Sequence, residues 1–92
     1  MHVEDLIWDD QNSAHIARHG IEIDEVEEIA FGRHHARRVR GENRYQVIGQ
    51  TAEGRYLLII LDHEGHGVSY VVTAREMDSD ERRQYHRAIH KR

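Results

Sequence analysis

Residues 56–61 (Tyr-Leu-Leu-Ile-Ile-Leu) form the longest unbroken apolar run in the chain, and that run narrows the folds open to it. Side chains alternate sides along a β-strand, so consecutive apolar residues present apolar surface on both faces and suit a central strand. Residues 68–74, rich in Val, Tyr and Thr, are a second strongly β-forming segment. Neither comes near the ~20 apolar residues that a helix needs to span a bilayer.

The other expected elements surround these two. Residues 3–8 suit a short first strand. Asp9 or Asp10 can offer a carboxylate to an orphan helical N–H, which predicts a helix to about His19, with Ala14 and Ala17 on its inner side and Gly20 as its stop. Asp24 is the expected cap of a second helix, whose Val26, Ile29 and Ala30 have the spacing of one buried face and which ends at Gly32. Glu25, Glu27 and Glu28 match the positive end of its dipole. Residues 34–40 alternate weakly, as an exposed edge strand does, and 41–43 form a turn. Residues 44–49 alternate again, with Tyr45, Val47 and Gly49 facing one way. Residues 52–54 turn the chain, and 63–67, with two glycines, read as a loop. Asp78 or Ser79 caps a last helix whose apolar stripe is only Tyr85, Ala88 and Ile89, too thin to stand without a surface to lean on. The expected fold class is α+β: two N-terminal helices, an antiparallel meander and a C-terminal helix, in one domain over residues 1–92.

Charge is unevenly divided. Residues 1–32 hold nine acidic side chains against one Arg, whereas residues 33–60 hold six Arg against two Glu, formally −8 and then +4 within an overall −4. One surface should repel phosphate while a neighbouring one could hold it, and a net-acidic chain can still touch nucleic acid through cations gathered on one face. Twelve of the thirteen basic residues are Arg. The rigid guanidinium fork suits phosphate or carboxylate, although a GC-rich genome would produce the same bias. The absence of Cys excludes disulfides, thiolate nucleophiles and thiolate metal sites. An N-terminus carrying His2, Glu4 and Asp5 has the wrong chemistry for a signal peptide, so a soluble cytoplasmic protein without membrane contact is expected.

Nine His residues invite a metal reading, yet spacing completes no donor set. His15 with His19, and His86 with His90, are four apart on expected helices and could turn two nitrogens to one ion. Neither pair has the Glu of a zinc-protease helix or a third ligand. His34 and His35 point to opposite faces of a strand, and His63 and His66 flank a loop. No metal and no cofactor are expected. The arginines are a firmer lead. Arg33, Arg37, Arg38 and Arg40 lie on or near the edge strand, Arg44 opens the next, Arg55 precedes the central strand, and Arg75 stands where the strand over 68–74 ends. If Arg44 and Arg75 occupied adjacent strand ends, they could clamp a phosphodiester. Pairing with Glu76, Asp78 or the acidic first helices is the competing use. His19, Glu42, Tyr45, Tyr56, Tyr70 and His86 are candidate acid–base groups. Trp8 fits a core plug beside the first helix better than a base-stacking platform.

Trp8–Asp9, Arg18–His19–Gly20, Glu42 with Arg44–Tyr45, Ile48–Gly49, Gly54–Arg55, Thr73–Ala74–Arg75 and Glu81–Arg82 with Tyr85 stand in an order and spacing that resembles the BrnT family of toxins. That family is part of the wider RelE-like ribonuclease toxins of type II toxin–antitoxin systems, and the resemblance spans about residues 4–89. It implies a RelE-like fold built on a small twisted antiparallel β-sheet, and metal-independent endoribonuclease activity on RNA. It also implies neutralisation by a cognate DNA-binding antitoxin, which masks the active surface and brings the toxin to operator DNA only within their complex. By position it makes Arg44 and Arg75 family basic residues, Glu42 or its neighbour the family acid and His19 the His before Gly.

Without a metal, RNA can be cut by its own 2′-hydroxyl attacking the adjacent phosphate, leaving a 2′,3′-cyclic phosphate and a 5′-hydroxyl. Such a site needs a base at the 2′-oxygen, cations over the developing phosphorane and a proton for the leaving oxygen. Arg75 and Arg44 are expected to stabilise charge, Glu42 or His19 to act as base, and His19 or a Tyr as acid. Arg37, Arg38, Arg40 and Arg55 are the expected RNA-binding set. The alternative is a degenerate toxin-fold protein that only binds an antitoxin-like partner.

Overall fold

In a computed structural model, which describes residues 1–39, 41 and 43–90, the elements run β1 (Asp5–Ile7), α1 (Asp10–Arg18), α2 (Ile23–Phe31), β2 (His35–Arg38), β3 (Arg44–Gln50), β4 (Tyr56–Gly65), β5 (Val68–Glu76) and α3 (Ser79–Ile89). The described strands form one sheet in the order β1-β5-β4-β3-β2, so the strand holding the apolar run is central. β2 to β5 are the expected antiparallel meander. β1 adds to the outer edge of β5 in parallel, which makes this α+β sheet mixed. Parallel pairing needs a long crossover, and here everything between β1 and β5 supplies it.

Both faces of β4 are covered, which is why it is apolar on both. Leu57, Ile59 and Leu61 pack with Ile16 of α1, with Val26, Ile29 and Ala30 of α2, and with Val47, Val71 and Ala74. On the opposite face Leu58 packs with Ile48, Met77 and Tyr85, joined by Tyr56, Ile60 and Ile89. The thin stripe of α3 therefore leans on the sheet.

Local chemistry sets most boundaries. Asp9 caps α1: its carboxylate accepts from the Asn12 N–H, and the Asn12 side chain accepts from the Asp9 N–H, each at 2.8 Å. Asn12 is 2% exposed, and its amide also donates to the carbonyls of Ile7 (2.9 Å) and Val71 (3.0 Å). The inner face of α1 is thus Asn12 and Ile16, while Ala14 and Ala17 are exposed, contrary to the sequence expectation. Asn12 takes the inner position because its amide satisfies two backbone carbonyls. α2 begins at Ile23 with Glu22 as its cap, because the Glu25 carboxylate reaches back to the Glu22 N–H; Asp24 lies inside the first turn. The expected loop over 63–67 is mostly strand. β4 continues to Gly65, and the reversal needs only His66 (φ 54) and Gly67 (φ 78), whose left-handed backbones match a type I′ hairpin.

Gly49 is required by close packing rather than by backbone freedom. A Cβ there would stand 2.7 Å from Ile29 Cγ2, where α2 crosses β3. Gly49→Ala is expected to destabilise the fold by about 1–3 kcal/mol, the usual cost of overpacking, read as a lower urea midpoint at unchanged slope.

Candidate functional site

Arg75 lies on β5 opposite Leu58, on the face covered by α3. Its guanidinium grips Glu81 with two bonds, Nη1–Oε1 at 2.8 Å and Nη2–Oε2 at 2.7 Å, and also donates to the Glu76 carbonyl at 3.0 Å. Glu81 in turn accepts from the Asp78 N–H, and the Asp78 carboxylate caps α3 through the Glu81 N–H. One task of Arg75 is therefore to pin the start of α3 to the sheet. The paired guanidinium holds the Glu81 carboxyl below its ordinary value of 4.5, against the opposing effect of burial. Its contribution to stability is complete above pH 4.5 and is lost as pH falls through the lower folded value. Urea midpoints should therefore fall between pH 6 and pH 3, and Glu81→Gln should flatten that dependence.

Beyond the pin, α3 brings further groups over the same face. Tyr85 is buried and its ring lies 6.1 Å from that of Tyr56. The half-buried His86 ring is 5.4 Å from Tyr56 and 5.8 Å from Tyr85, and stacks on His90 at 6.0 Å. The Arg82 guanidinium lies over the Tyr56 ring at 6.0 Å. Tyr56 is two residues along β4 from Leu58, so it is a diagonal neighbour of Arg75 on that face. Two cations, a phenol and an imidazole are thus gathered around Tyr56 on the face that α3 covers. The sequence reading held Arg75, Tyr56 and His86 separately and gave Arg82 no role. The four-residue interval between Arg82 and His86 puts both on one helical face and was the signal available.

The other expected residues stand elsewhere. Arg44 and Arg75 do not share adjacent strand ends, so the expected clamp is corrected: β3 and β5 both run antiparallel to β4, and the start of one lies at the opposite end of the sheet from the finish of the other. Arg44 instead forms a two-bond pair with Asp62 across the sheet, at 2.7 and 2.9 Å. That bond holds the Asp62 carboxyl below its usual range and raises Arg44. His19 is the C-cap of α1, exposed and edge-on to His15 at 5.1 Å, on the opposite side of the sheet from Arg75. Arg55 is a bracket: it reaches Glu25 at 2.8 and 2.9 Å, the Gly20 carbonyl at 3.2 Å and Glu76 at 2.8 Å. Arg37 and Arg38 are exposed on β2, and Arg38 donates to the Tyr45 hydroxyl at 3.2 Å. Glu42 and Arg40 lie outside the described residues.

The acidic first third is largely put to internal use. Glu25 holds Arg55, Glu27 accepts from the Trp8 indole at 3.1 Å, and Glu28 accepts from the Ala52 N–H. Trp8 is half-buried against the core. Among the described residues no three His, Asp or Glu side chains gather as a metal-binding group, and no helix is long and apolar enough to cross a membrane.

Fold and site together define a small α+β protein with cations, a phenol and an imidazole on one sheet face. Residues 8–81 match the family described as ribonuclease toxin, BrnT, of type II toxin–antitoxin systems, and the chain belongs to that family. Membership of a type II toxin–antitoxin family implies an antitoxin partner. Comparison with curated proteins gave no match to this chain.

Proposed function

We propose that this chain is a metal-independent endoribonuclease of the RelE-like group, a single domain acting in the cytoplasm and cutting RNA by attack of a 2′-hydroxyl on its own phosphate. The observation that carries this reading is the gathering of Arg75, Arg82 and His86 around Tyr56 on the face that α3 covers. Each requirement of the reaction has a group there. His86 takes the 2′-hydroxyl proton as the 2′-oxygen bonds to phosphorus. Arg82 and the outward edge of Arg75 stabilise the phosphorane charge. The bond to the 5′-oxygen breaks as the Tyr56 hydroxyl protonates it, and the His86 imidazolium restores the Tyr56 proton. Glu81 is a poor base in this scheme, because its pairing with Arg75 favours the ionised carboxylate. Arg37 and Arg38 bind RNA from the edge strand. A cognate DNA-binding antitoxin covers the α3 face and brings the toxin to operator DNA only within their complex.

One observation favours the second reading, a toxin fold that only binds its partner. Arg44, Arg55 and Arg75 are each engaged by carboxylates within the chain. The test is cleavage of free and ribosome-bound RNA in EDTA by the purified protein and its Arg82→Ala variant, with analysis of product ends. Cyclic-phosphate ends that form in EDTA and fall about 10²–10³-fold in the variant are expected from loss of a charge-stabilising donor. No cleavage of either substrate, or unchanged turnover in the variant, would overturn the assignment.

A further inference from the structure

The opposite end of the sheet carries a second feature, on the face that also bears α1 and α2. Ala36 and Arg38 of β2, Tyr45 of β3 and His63 of β4 line a hollow of about 400 Å³, with Arg37 at its rim and Met1 and His2 as a further wall. That volume is typical of small-ligand sites, which run to roughly 300–1,000 Å³. Its lining combines planar and cationic groups. The Arg38 guanidinium lies over the Tyr45 ring at 5.6 Å, and the His63 ring stands edge-on to Tyr45 at 6.4 Å. One polar atom of the lining residues is unsatisfied among the described residues: the buried His63 Nδ1 has no hydrogen-bond partner. A buried polar atom without a partner is costly, so His63 Nδ1 calls for a polar guest or water.

The register of β2 links this hollow to the α3 face. Arg38 lies opposite Tyr45 on the hollow side, while Arg37 lies opposite Gln46 and His35 opposite Ile48, on the α3 side. One short edge strand thus presents cationic or titratable groups to both faces. A single strand of RNA passing round this edge would meet Arg37 and Arg38 in turn.

We infer that the hollow seats one unpaired nucleotide of the RNA substrate, as a base-recognition subsite apart from the α3 cluster. The base stacks on the Tyr45–Arg38 platform, its edge hydrogen-bonds to His63, and its phosphate meets Arg37. The identity of the ligand as substrate RNA rests on the ribonuclease reading; the hollow and its lining do not.

The test titrates the 5′-monophosphates of adenosine, guanosine, cytidine and uridine, and inorganic phosphate, into the intact protein. Binding is followed by the NMR signals of the Tyr45 and His63 rings. Saturable shifts of both rings by at least one nucleotide, and not by phosphate, are expected, with affinity falling about tenfold in Arg38→Ala through loss of a cationic stacking partner. In mapped RNA cleavage, His63→Gln should change the base preference at one fixed distance from the cut. Silence of both rings with all four nucleotides at millimolar concentration, or equal shifts with phosphate alone, would overturn the subsite. Nucleotide binding in the hollow without RNA cleavage would keep the subsite and remove the ribonuclease reading. Cleavage with a silent hollow would do the reverse.

Discussion

His86→Ala is expected to lower the turnover of RNA by about 10²–10⁴-fold, the range lost with a positioned proton-transfer group. The ring stands over the α3 face beside Tyr56, half-buried, and is not the residue that holds the helix down. Anchoring falls to the buried Tyr85 and to the Arg75–Glu81 pair, so α3 should stay docked in the variant. A loss confined to kcat, with KM kept, marks an interaction made only in the transition state. His86→Gln sharpens the test. It keeps polarity and approximate size but cannot accept a proton usefully, so it should resemble Ala in rate and the parent in thermal midpoint. Unchanged kcat in both variants would remove His86 from the reaction.

Asn12→Ala is expected to have the largest effect on stability. The side chain is the middle of a bridge: it completes the Asp9 cap and donates to the carbonyls of Ile7 and Val71, tying β1 and β5 to α1. Removal leaves the buried Val71 carbonyl unsatisfied at about 1–3 kcal/mol and also costs the partly buried Ile7 bond and the Asp9 cap, so a total of roughly 2–4 kcal/mol follows. For a domain of this size each kcal/mol moves the thermal midpoint by about 4–8 °C, which calorimetry resolves easily. Asn12→Asp separates lost bonding from lost volume. It preserves shape but replaces the donor with an anion facing two carbonyl oxygens, so it should be at least as damaging as Ala. A midpoint within about 2 °C of the parent for Asn12→Ala would mean that water serves these carbonyls equally well.

The elements legible in the chain are those decided within a few residues. Asp9 and Asp78 cap helices because a carboxylate and the N–H it serves are three positions apart, and both lie where expected. The strand over 56–61 is central because its own side chains demand cover on both faces. Errors arose where a residue had a tertiary partner. Ala14 and Ala17 are the expected inner side of α1, but Asn12 is turned inward by its bond to Val71 of β5, and Gly65 looks like a loop until β5 pairs with it. The site divides in the same way. Arg75, Tyr56 and His86 could each be named as candidates, but their meeting depends on how α3 lies across β4, which no spacing along the chain records.

The sequence by itself determined an α+β chain with its apolar run at the centre of the sheet, an Arg-rich middle and membership of a toxin family. Only the tertiary structure decided which cations are engaged. Arg44 meets Asp62, Arg55 meets Glu25 and Glu76, and Arg75 meets Glu81, while Arg82 comes to rest over Tyr56. The separations along the chain range from six residues, for Arg75 and Glu81, to 30, for Arg55 and Glu25. Strand register and helix docking set those pairings. A charge is felt over a few ångströms, and the chain's order alone does not say which carboxylate will lie within them.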